Sequence, residues 1–485
     1  GMLKALLDRN FALGINKMFY HVYTHNPYVD RKPGMTLDGI GLFFQRDQTW
    51  WKQGKAFVDY TARCQALLQY GVPVTDIAVF TGEEIPRRAI LPDRLVPSLP
   101  GIFGKERVES EKVRLANVKE PQREMPVGVH HSANMADPEK WINPMRGYAY
   151  DSFNRDALLR LVEVKDGRMV LPGGAAYKVL VLPLPHSMSP DKLPLSKEVQ
   201  EKVEALRRAG VVIPDLPYTS DDFSAYGLER DVIVPEDIAW THRRGEEADV
   251  YFIANQQEKE RKFTVSLRIN EGQPELWNPV TGEMRNASLW KQENGRTSVD
   301  LTLASKESVF IVIGRGKLNL PDNIPNSECQ TNELKTKEWQ ITFPLINKTI
   351  TRSSLFDWSK EEDETIRYYS GTAVYSSEFE WKGNKKDARI YLDLGKIANI
   401  ATVRINGQDC GTVWTAPLCA EITGAVKKGK NTIEIEVANT WANAIKGADR
   451  GKAPFKGIWT NGKYRMKEDI LLEAGLIGPL QIIEE

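Results

Sequence analysis

The chain has 485 residues, a length that predicts about three or four domains. Its 65 Lys and Arg residues balance its 65 Asp and Glu residues, so the net charge gives no electrostatic reason to expect nucleic acid or an anionic membrane as a partner. The hydrophobic content of 41% excludes wholesale disorder, and the apolar runs are strand-length, far short of the roughly 20 residues that span a membrane.

Residues 1–90 alternate between helix-like and strand-like patterns. Apolar residues recur at helical spacing from Ala56 to Gln69, which predicts an amphipathic helix. The segments Lys17–Tyr23 and Asp76–Phe80 are dense in β-forming residues and predict strands. Because long loops follow both strands, we expect residues 1–90 to be the C-terminal end of a βα barrel. A complete barrel needs about 200–250 residues, so most of it would lie outside this chain.

Two stretches follow before the all-β part of the chain. Residues 91–147 contain frequent Pro and no clear periodicity, so we expect an irregular connection. Residues 148–235 predict a flavodoxin-like α/β domain, with a buried strand at Lys178–Pro183, a helix at Ser196–Ala209 and another strand at Val211–Ile213. This stretch has no GxGxxG motif, so we assign no dinucleotide.

Residues 236–316 change to alternation with a period of two and predict a small β-sandwich. Within it, Asp249–Asn255 and Lys262–Arg268 are predicted to pair with each other. Residues 317–336 are polar, contain two Pro residues, and predict a linker.

Residues 337–485 predict a second all-β domain, a jelly roll, with the strongest hairpin signal of the chain at Asn406-Gly407. Cys410 and Cys419 flank one strand–turn region, where either a disulfide or two thiols would fit, and we expect thiols. The predicted fold class is therefore multidomain α/β plus all-β: a partial βα barrel, a flavodoxin-like domain, a small β-sandwich and a jelly roll.

The densest cluster of polar and aromatic residues follows the first predicted strand. On a strand, His21, Tyr23 and His25 share one face, which suits hydrogen bonding to sugar hydroxyls, although satisfied structural histidines are the alternative. Trp50 and Trp51 follow in a loop. Either indole ring could stack on a sugar, or one of them could fill the interior of the barrel.

Two carboxylates follow the second predicted strand. Glu83 and Glu84 lie where acid–base groups, or ligands for sugar hydroxyls and a cation, are found in βα barrels. Glycoside hydrolysis needs two carboxylates about 5–10 Å apart, and sequence neighbours point in different directions. We therefore expect one of them to contribute to a site whose other members lie elsewhere. A solvated loop pair is the alternative.

Motifs that resemble a known family run through nearly the whole chain. In the first 90 residues they are Gly14–Asn16, His21–Pro27, Pro33–Met35, Thr49–Trp51, Tyr60–Gln65, Leu68–Gly71 and Gly82–Glu84. Downstream they are Gly147–Asp151, Tyr177–Pro183, Phe252–Asn255, Pro274–Gly282, Ser370–Tyr375, Gly411–Trp414 and Asn439–Asn443. The first set resembles the end of the catalytic barrel of glycoside hydrolase family 106, the α-L-rhamnosidases. The last three motifs resemble the galactose-binding-like jelly roll of many glycoside hydrolases.

The resemblance implies an enzyme that removes terminal α-L-rhamnosyl residues from plant-type polysaccharides by an inverting two-carboxylate mechanism, with calcium as a cofactor. Its main catalytic carboxylates would lie largely on barrel sequence outside this chain. Here Glu83 and Glu84 are the catalytic candidates. The substrate-binding candidates that the resemblance carries over are His21, Tyr23, His25, Trp50 and Trp51.

The resemblance also implies a rhamnose-containing glycan as partner and a periplasmic or secreted location. A non-catalytic carbohydrate-binding or scaffold protein derived from such an enzyme is the alternative. An amidotransferase-like activity in residues 148–235 is disfavoured, because the chain has no Cys between positions 64 and 329. Since an incomplete barrel exposes strand edges, we expect residues 1–90 to pack on the other domains or on a second copy of the chain.

Overall fold

The structure is a computed structural model that describes residues 2–37, 44–83, 89–116, 141–184, 194–316, 319–322, 329–383, 388–462 and 470–485. The α-helices in these residues are α1 (Met2–Ala12), α2 (Lys55–Leu68), α3 (Pro92–Leu95), α4 (Pro100–Phe103), α5 (Lys105–Ala116), α6 (Lys197–Arg208), α7 (Glu364–Arg367) and α8 (Ala442–Asp449). Across this described part of the chain, no helix has both the length and the apolar character that a membrane span requires.

Residues before position 75 form a layer packed on both β domains. The predicted helix is confirmed as α2, whose buried face includes Tyr60 and Cys64. Helices α1 and α2 pack against one face of the sandwich and against Trp414 of the jelly roll. The expected packing of this segment on the other domains is therefore present.

The strands of this first segment are β1 (Lys32–Gly34), β2 (Val72–Pro73) and β3 (Ile77–Phe80). The predicted strand at Lys17–Tyr23 is wrong, because these residues have no regular secondary structure and Phe19 is 83% exposed. β-forming side chains do not make a strand where no neighbour pairs with the backbone.

Strand β3, predicted to belong to the C-terminal end of a βα barrel, is instead the middle strand of a small parallel sheet. The strands that follow it are β4 (Tyr150–Phe153), β5 (Glu163–Lys165), β6 (Arg168–Val170), β7 (Ala176–Tyr177) and β8 (Val179–Val181). β3 pairs in parallel with β4 and β8, and a parallel bridge from Val179 to Val212 extends the sheet. The α/β unit therefore begins at Asp76, and the predicted boundaries at 90 and 148 do not separate it.

Helices cover both faces of this parallel sheet. Ile77 and Val79 of β3 pack towards α3 and α4, whereas Ala78 and Phe80 pack towards α6. The predicted helix at Ser196–Ala209 is confirmed as α6. The predicted irregular connection at residues 91–147 is wrong in its described part, which holds α3, α4 and α5. Two of its Pro residues stand in the first turn of α3 and α4, where proline is tolerated.

The predicted β-sandwich is present. Its strands are β9 (Val232–Ile233), β10 (Ile238–Arg244), β11 (Ala248–Asn255), β12 (Arg261–Leu267), β13 (Pro274–Trp277), β14 (Met284–Asn286), β15 (Trp290–Glu293), β16 (Arg296–Leu303) and β17 (Ser308–Gly314). One sheet has the order β14-β13-β17-β11-β10-β2, and the other has the order β15-β16-β12-β9. The predicted pairing of β11 with β12 is wrong: they lie in opposite sheets, and their apolar side chains meet in the core between them.

The jelly roll has two main sheets. Its strands are β18 (Gln330–Glu333), β19 (Trp339–Phe343), β20 (Lys348–Arg352), β21 (Thr372–Trp381), β22 (Ile390–Asp393), β23 (Lys396–Ala398), β24 (Ile400–Ile405), β25 (Gln408–Val413), β26 (Cys419–Glu421), β27 (Gly429–Ala438), β28 (Ile458–Thr460), β29 (Gly475–Gly478) and β30 (Gln481–Glu484). The sheet orders are β18-β30-β22-β26 and β20-β19-β21-β27-β24-β25. Strand β18 lies within residues 317–336, which were predicted to be a linker. The prediction is therefore wrong for the C-terminal part of that range.

Two predictions of local features in the jelly roll, a hairpin and two free thiols, are confirmed. The hairpin at Asn406-Gly407 is confirmed between β24 and β25, with φ of 53° and 80° at its two turn residues. These are the left-handed conformations that the Asn-Gly pair favours. Cys410 and Cys419 are free thiols, as expected.

A chain of buried charges joins the sandwich to the α/β unit. His242 lies between two carboxylates, with Nδ1 2.8 Å from Asp231 Oδ2 and Nε2 2.8 Å from Asp249 Oδ1, and all three residues are 1% exposed. Arg268 Nη2 donates to Asp76 Oδ2 at 2.5 Å and lies 3.5 Å from Asp231 Oδ1. Because Asp76 immediately precedes β3, these ion pairs fix the parallel sheet against the sandwich.

These contacts favour a charged imidazole. Burial lowers the pKa of His242, but the carboxylates of Asp231 and Asp249 outweigh burial and hold it above its usual value. Burial raises the pKa values of Asp231 and Asp249, but the attraction of His242 has the larger, opposite effect. Both carboxyl pKa values therefore lie below the usual range. Arg244 and Arg315 donate to Asp249 from the other side, at 2.6 and 3.0 Å.

We expect the free energy of unfolding to fall as pH rises above about 6.5, the ordinary pKa of histidine, and through the raised pKa of the folded state. The reason is that the folded protein binds the His242 proton more tightly than the unfolded chain does. His242→Gln removes this dependence and destabilises the protein by about 3–5 kcal/mol, because two buried carboxylates lose a charged partner.

Urea unfolding between about pH 6 and pH 9 measures both effects. His25→Gln, at an exposed histidine, is the matched control and should keep the wild-type slope. A His242→Gln variant with the wild-type pH slope would contradict the assignment.

Candidate functional site

The substrate-binding candidates lie in the rim loop, which we define as the described residues 15–37 and 44–53. Exposure alternates from residue 21 to residue 25, so that His21, Tyr23 and His25 are exposed although they form no strand. The ring centroids of Tyr23 and Trp51 lie 6.2 Å apart at 65°, and Trp51 is 42% exposed. Trp50 packs inward, 5.9 Å from Phe44 and against the core under α2. The structure thus brings Tyr23 and Trp51 together and gives the two tryptophans different environments.

The rim loop is fixed by polar contacts that the sequence analysis missed. The buried Asn26 donates from Nδ2 to Asp47 Oδ2 at 2.9 Å, and its Oδ1 accepts from the backbone of Tyr28 and Met35. Trp441 Nε1 of the jelly roll donates to the Asp47 carbonyl at 2.8 Å. The only sequence signal for this arrangement is that Asn26 and Trp441 both lie in the family-like motifs. The jelly roll therefore supports the rim loop directly.

Glu83 lies elsewhere, beyond the end of β3 and at the N-terminus of α6. Its Oε2 accepts from Ser196 N at 2.6 Å, and its Oε1 accepts from Ser196 Oγ at 2.6 Å and from Arg155 Nε at 3.2 Å. Partial burial raises its pKa, but the hydrogen bonds from Ser196 and Arg155 outweigh burial and hold the pKa below its usual value. An ionised carboxylate at a helix N-terminus is favoured by the exposed backbone N–H groups and the helix dipole.

The two sets of candidates are therefore held by different parts of the molecule. The contacts of the Glu83 carboxylate are within the α/β unit, whereas the rim loop is anchored to the jelly roll. Glu84 lies outside the described residues. The geometry gives Glu83 the properties of a residue that positions α6.

The described residues contain no cluster of acidic side chains of the kind that holds calcium. In the part of the chain that the structure describes, no group of three or more His, Cys, Asp or Glu side chains is arranged to hold a metal ion. Calcium prefers six to eight oxygen ligands, with several carboxylates among them. We therefore assign no chemical step to a metal.

Comparison with known proteins connects these features to a family. A family profile described as alpha-L-rhamnosidase matches residues 1–125 and 218–291, and one described as Glycosyl hydrolase 2 galactose-binding domain-like matches residues 341–468. The structure of a rhamnosidase from Novosphingobium sp. PP1Y superimposes with a TM-score of 0.78 and 28% identity. The resemblance to the α-L-rhamnosidases is confirmed. The molecule has a rhamnosidase-like fold with a galactose-binding-like domain.

Two relatives that match this rhamnosidase-like chain are longer than it is. The Novosphingobium match covers 100% of this chain and 46% of the rhamnosidase. A curated relative from Formosa agariphila, named putative beta-glucuronidase, is 23% identical and is matched over 99% of this chain and 61% of its own length. The chain thus spans about half of the rhamnosidase and about three fifths of the curated relative.

A substitution separates a positioning role of Glu83 from a catalytic one. Glu83→Ala removes the acceptor of three hydrogen bonds, two from Ser196 at the start of α6 and one from Arg155, so we expect the free energy of unfolding to fall by about 1–3 kcal/mol. Hydrogen exchange should also accelerate in the first turn of α6.

Glu198→Ala is the matched control, because Glu198 lies on the same helix end and contacts Arg155 but is 64% exposed. It should change stability by no more than about 0.5 kcal/mol. An unchanged stability in Glu83→Ala, together with lost hydrolysis in the full-length protein, would restore the catalytic assignment.

Proposed function

We propose that this chain is part of a glycoside hydrolase that removes terminal α-L-rhamnosyl residues from plant-type glycans. The observation that carries the proposal is the superposition on a rhamnosidase over the whole chain, at a TM-score of 0.78 and 28% identity. Because the chain spans 46% of that rhamnosidase, we propose the activity for a protein that contains this chain together with further barrel sequence.

The proposed mechanism is hydrolysis with inversion. It needs a general acid, a general base and a water between them, with the two carboxyl groups about 6.5–9.5 Å apart. In this proposal both groups lie outside the described residues, because Glu83 is held by Ser196 and Arg155 and Glu84 is not described. Glu83 then positions α6 and transfers no proton.

The rim loop would bind the sugar. Tyr23 and Trp51 offer exposed rings for the apolar face of a deoxysugar, whose methyl group adds apolar contact. His21 and His25 offer ring nitrogens that can donate to or accept from hydroxyl groups. The rigid support of Asn26 under this loop reduces the entropy lost on binding.

A non-catalytic carbohydrate-binding or scaffold protein is the second candidate. It is favoured by the engagement of Glu83, the one catalytic candidate among the described residues, in contacts within the α/β unit. The name of the Formosa agariphila relative adds a second substrate to the test, a β-glucuronide.

An assay of the full-length protein with an aryl α-L-rhamnoside and an aryl β-D-glucuronide tests the proposal. We expect hydrolysis of the rhamnoside, with KM raised about five- to tenfold in Tyr23→Ala and in Trp51→Ala, because each loses one stacking contact. Tyr226→Ala is the matched control, at a tyrosine of similar exposure in the α/β unit, and should leave KM unchanged.

The first product anomer decides the mechanism. Proton NMR should detect β-L-rhamnose before mutarotation, and initial release of the α anomer would contradict inversion. Rhamnose binding without turnover of either substrate would favour the second candidate. A periplasmic or secreted location and a role for calcium are proposals that rest on the family resemblance.

We also propose that a second copy of the chain covers Phe19 and Val29, two exposed apolar side chains of the rim loop. Phe19 and Val29 are 83% and 84% exposed, which is costly for a monomer in water. Sedimentation of the 485-residue chain should show a dimer that Phe19→Ser weakens and Leu289→Ser, at an exposed leucine of the sandwich, does not. A wild-type monomer at high concentration would contradict this proposal.

A further inference from the structure

A tight turn of the rim loop carries Trp51 and is attached to the jelly roll. Trp51 N donates to the Gln48 carbonyl at 3.1 Å, and this hydrogen bond closes the turn with Thr49 in its interior. Thr49 Oγ1 donates to the carbonyl of Asn439, which directly follows strand β27 of the jelly roll. One hydroxyl group therefore ties the turn to another domain.

Contacts on either side of the turn repeat this attachment. Before the turn, Trp441 Nε1 donates to the Asp47 carbonyl at 2.8 Å. After the turn, Lys52 Nζ lies 3.4 Å from Glu436 Oε2. The contacts follow one another in opposite directions along the two segments, so this part of the rim loop runs antiparallel to the end of β27 and the residues after it.

The jelly-roll side of these contacts is fixed by buried groups. Asn439 is 3% exposed; its Oδ1 accepts from Gly371 N at 3.0 Å, and its Nδ2 donates to the Tyr369 carbonyl at 2.9 Å. Trp441 is also buried, and its ring centroid lies 6.2 Å from that of Phe455. Because both residues are held in place, hydrogen bonds to them fix the position of the turn.

Tyr23, the other ring of the exposed aromatic pair, is supported by a different part of the molecule. The Tyr20 hydroxyl is hydrogen-bonded to Thr61 of α2, and the Tyr20 ring centroid lies 6.0 Å from that of Phe57, also on α2. Tyr23 follows shortly after, with its ring centroid 6.2 Å from that of Trp51. The Tyr23–Trp51 pair is therefore assembled from a segment held by α2 and a turn held by the jelly roll.

We propose that the jelly roll sets the position of Trp51 and, through it, the affinity for the sugar, with Thr49 and Trp441 as positioning residues. Neither residue needs to touch the sugar, because each acts on the turn that carries the ring. A ring that is held in place before binding loses less entropy when the sugar binds. The sugar itself rests on the proposed function, whereas the dependence of Trp51 on the jelly roll rests on these hydrogen bonds.

Fluorine NMR of the 485-residue chain labelled with fluorotryptophan tests the position of Trp51 without any ligand. Trp51→Phe identifies the Trp51 signal. We expect this signal to shift or broaden in Thr49→Val, which loses the hydroxyl group at nearly constant volume, and in Trp441→Phe, which loses the N–H group. Thr49→Ser keeps the hydroxyl group and should restore the wild-type signal.

Trp339→Phe is the matched control, because it makes the same substitution at a buried residue in the core of the jelly roll. It should lower the free energy of unfolding and leave the Trp51 signal unchanged. A shift in Trp339→Phe as large as that in Trp441→Phe would overturn the proposal, because general loosening of the jelly roll would then account for both.

NMR titration with L-rhamnose measures the effect on affinity. We expect Thr49→Val and Trp441→Phe each to raise Kd about three- to fivefold, because each loses one hydrogen bond that orders the ring. In a Trp51→Ala background, Thr49→Val should raise Kd no further, because Thr49 acts only through the Trp51 ring. An equal increase in both backgrounds would overturn the proposal.

Failure of the positioning role differs from failure of the proposed function. An unmoved Trp51 signal in Thr49→Val and Trp441→Phe, with L-rhamnose affinity still dependent on Trp51, would overturn the positioning role alone. A shifted Trp51 signal in a chain that does not bind L-rhamnose would overturn the sugar site of the proposed function, and the attachment of Trp51 to the jelly roll would stand.

Discussion

The pairing of a buried His242 with two buried carboxylates is the constraint on which the placement of the α/β unit depends. Each ion in this chain of charges would cost several kcal/mol to bury alone, so each is retained only while its partners stay in place. Through Arg268 the chain reaches Asp76, and β3 leads from there to Glu83. The charges that hold the two domains together thus also set where α6 begins, and Glu83 in turn binds that helix end.

Predictions of local structure succeeded where the signal itself is local. Helix α6 follows from its apolar spacing and the Ser196 cap, and the β24–β25 hairpin follows from Asn406-Gly407. Predictions failed where partners are distant in sequence. Strand β3 pairs with strands some 70 and 100 residues later, which no local pattern in the first 90 residues reveals.

The candidate site was predictable in composition but not in arrangement. The cluster of His, Tyr and Trp residues indicated the rim loop, yet only the folded chain distinguishes the exposed Trp51 from the inward Trp50. Glu83 was a reasonable acid–base candidate at the end of a strand, and its three hydrogen bonds are invisible in the sequence. His242 carries no local sign of its role, because its two carboxylate partners stand 11 and 7 residues away on other strands or loops.

Strand β18 determines how the jelly roll can be cut from the rest of the chain. It pairs with β30 along its whole length, from Gln330 opposite Glu484 to Glu333 opposite Gln481. A fragment that starts at residue 337 would leave unpaired the backbone N–H and C=O groups of β30 that face β18, although the other side of β30 still pairs with β22. Such an exposed edge recruits strands from other molecules. The smallest fragment that keeps this jelly roll intact therefore begins before Gln330. A fusion protein in which the jelly roll begins at residue 337 would aggregate, even though every residue of the remaining sheets is native.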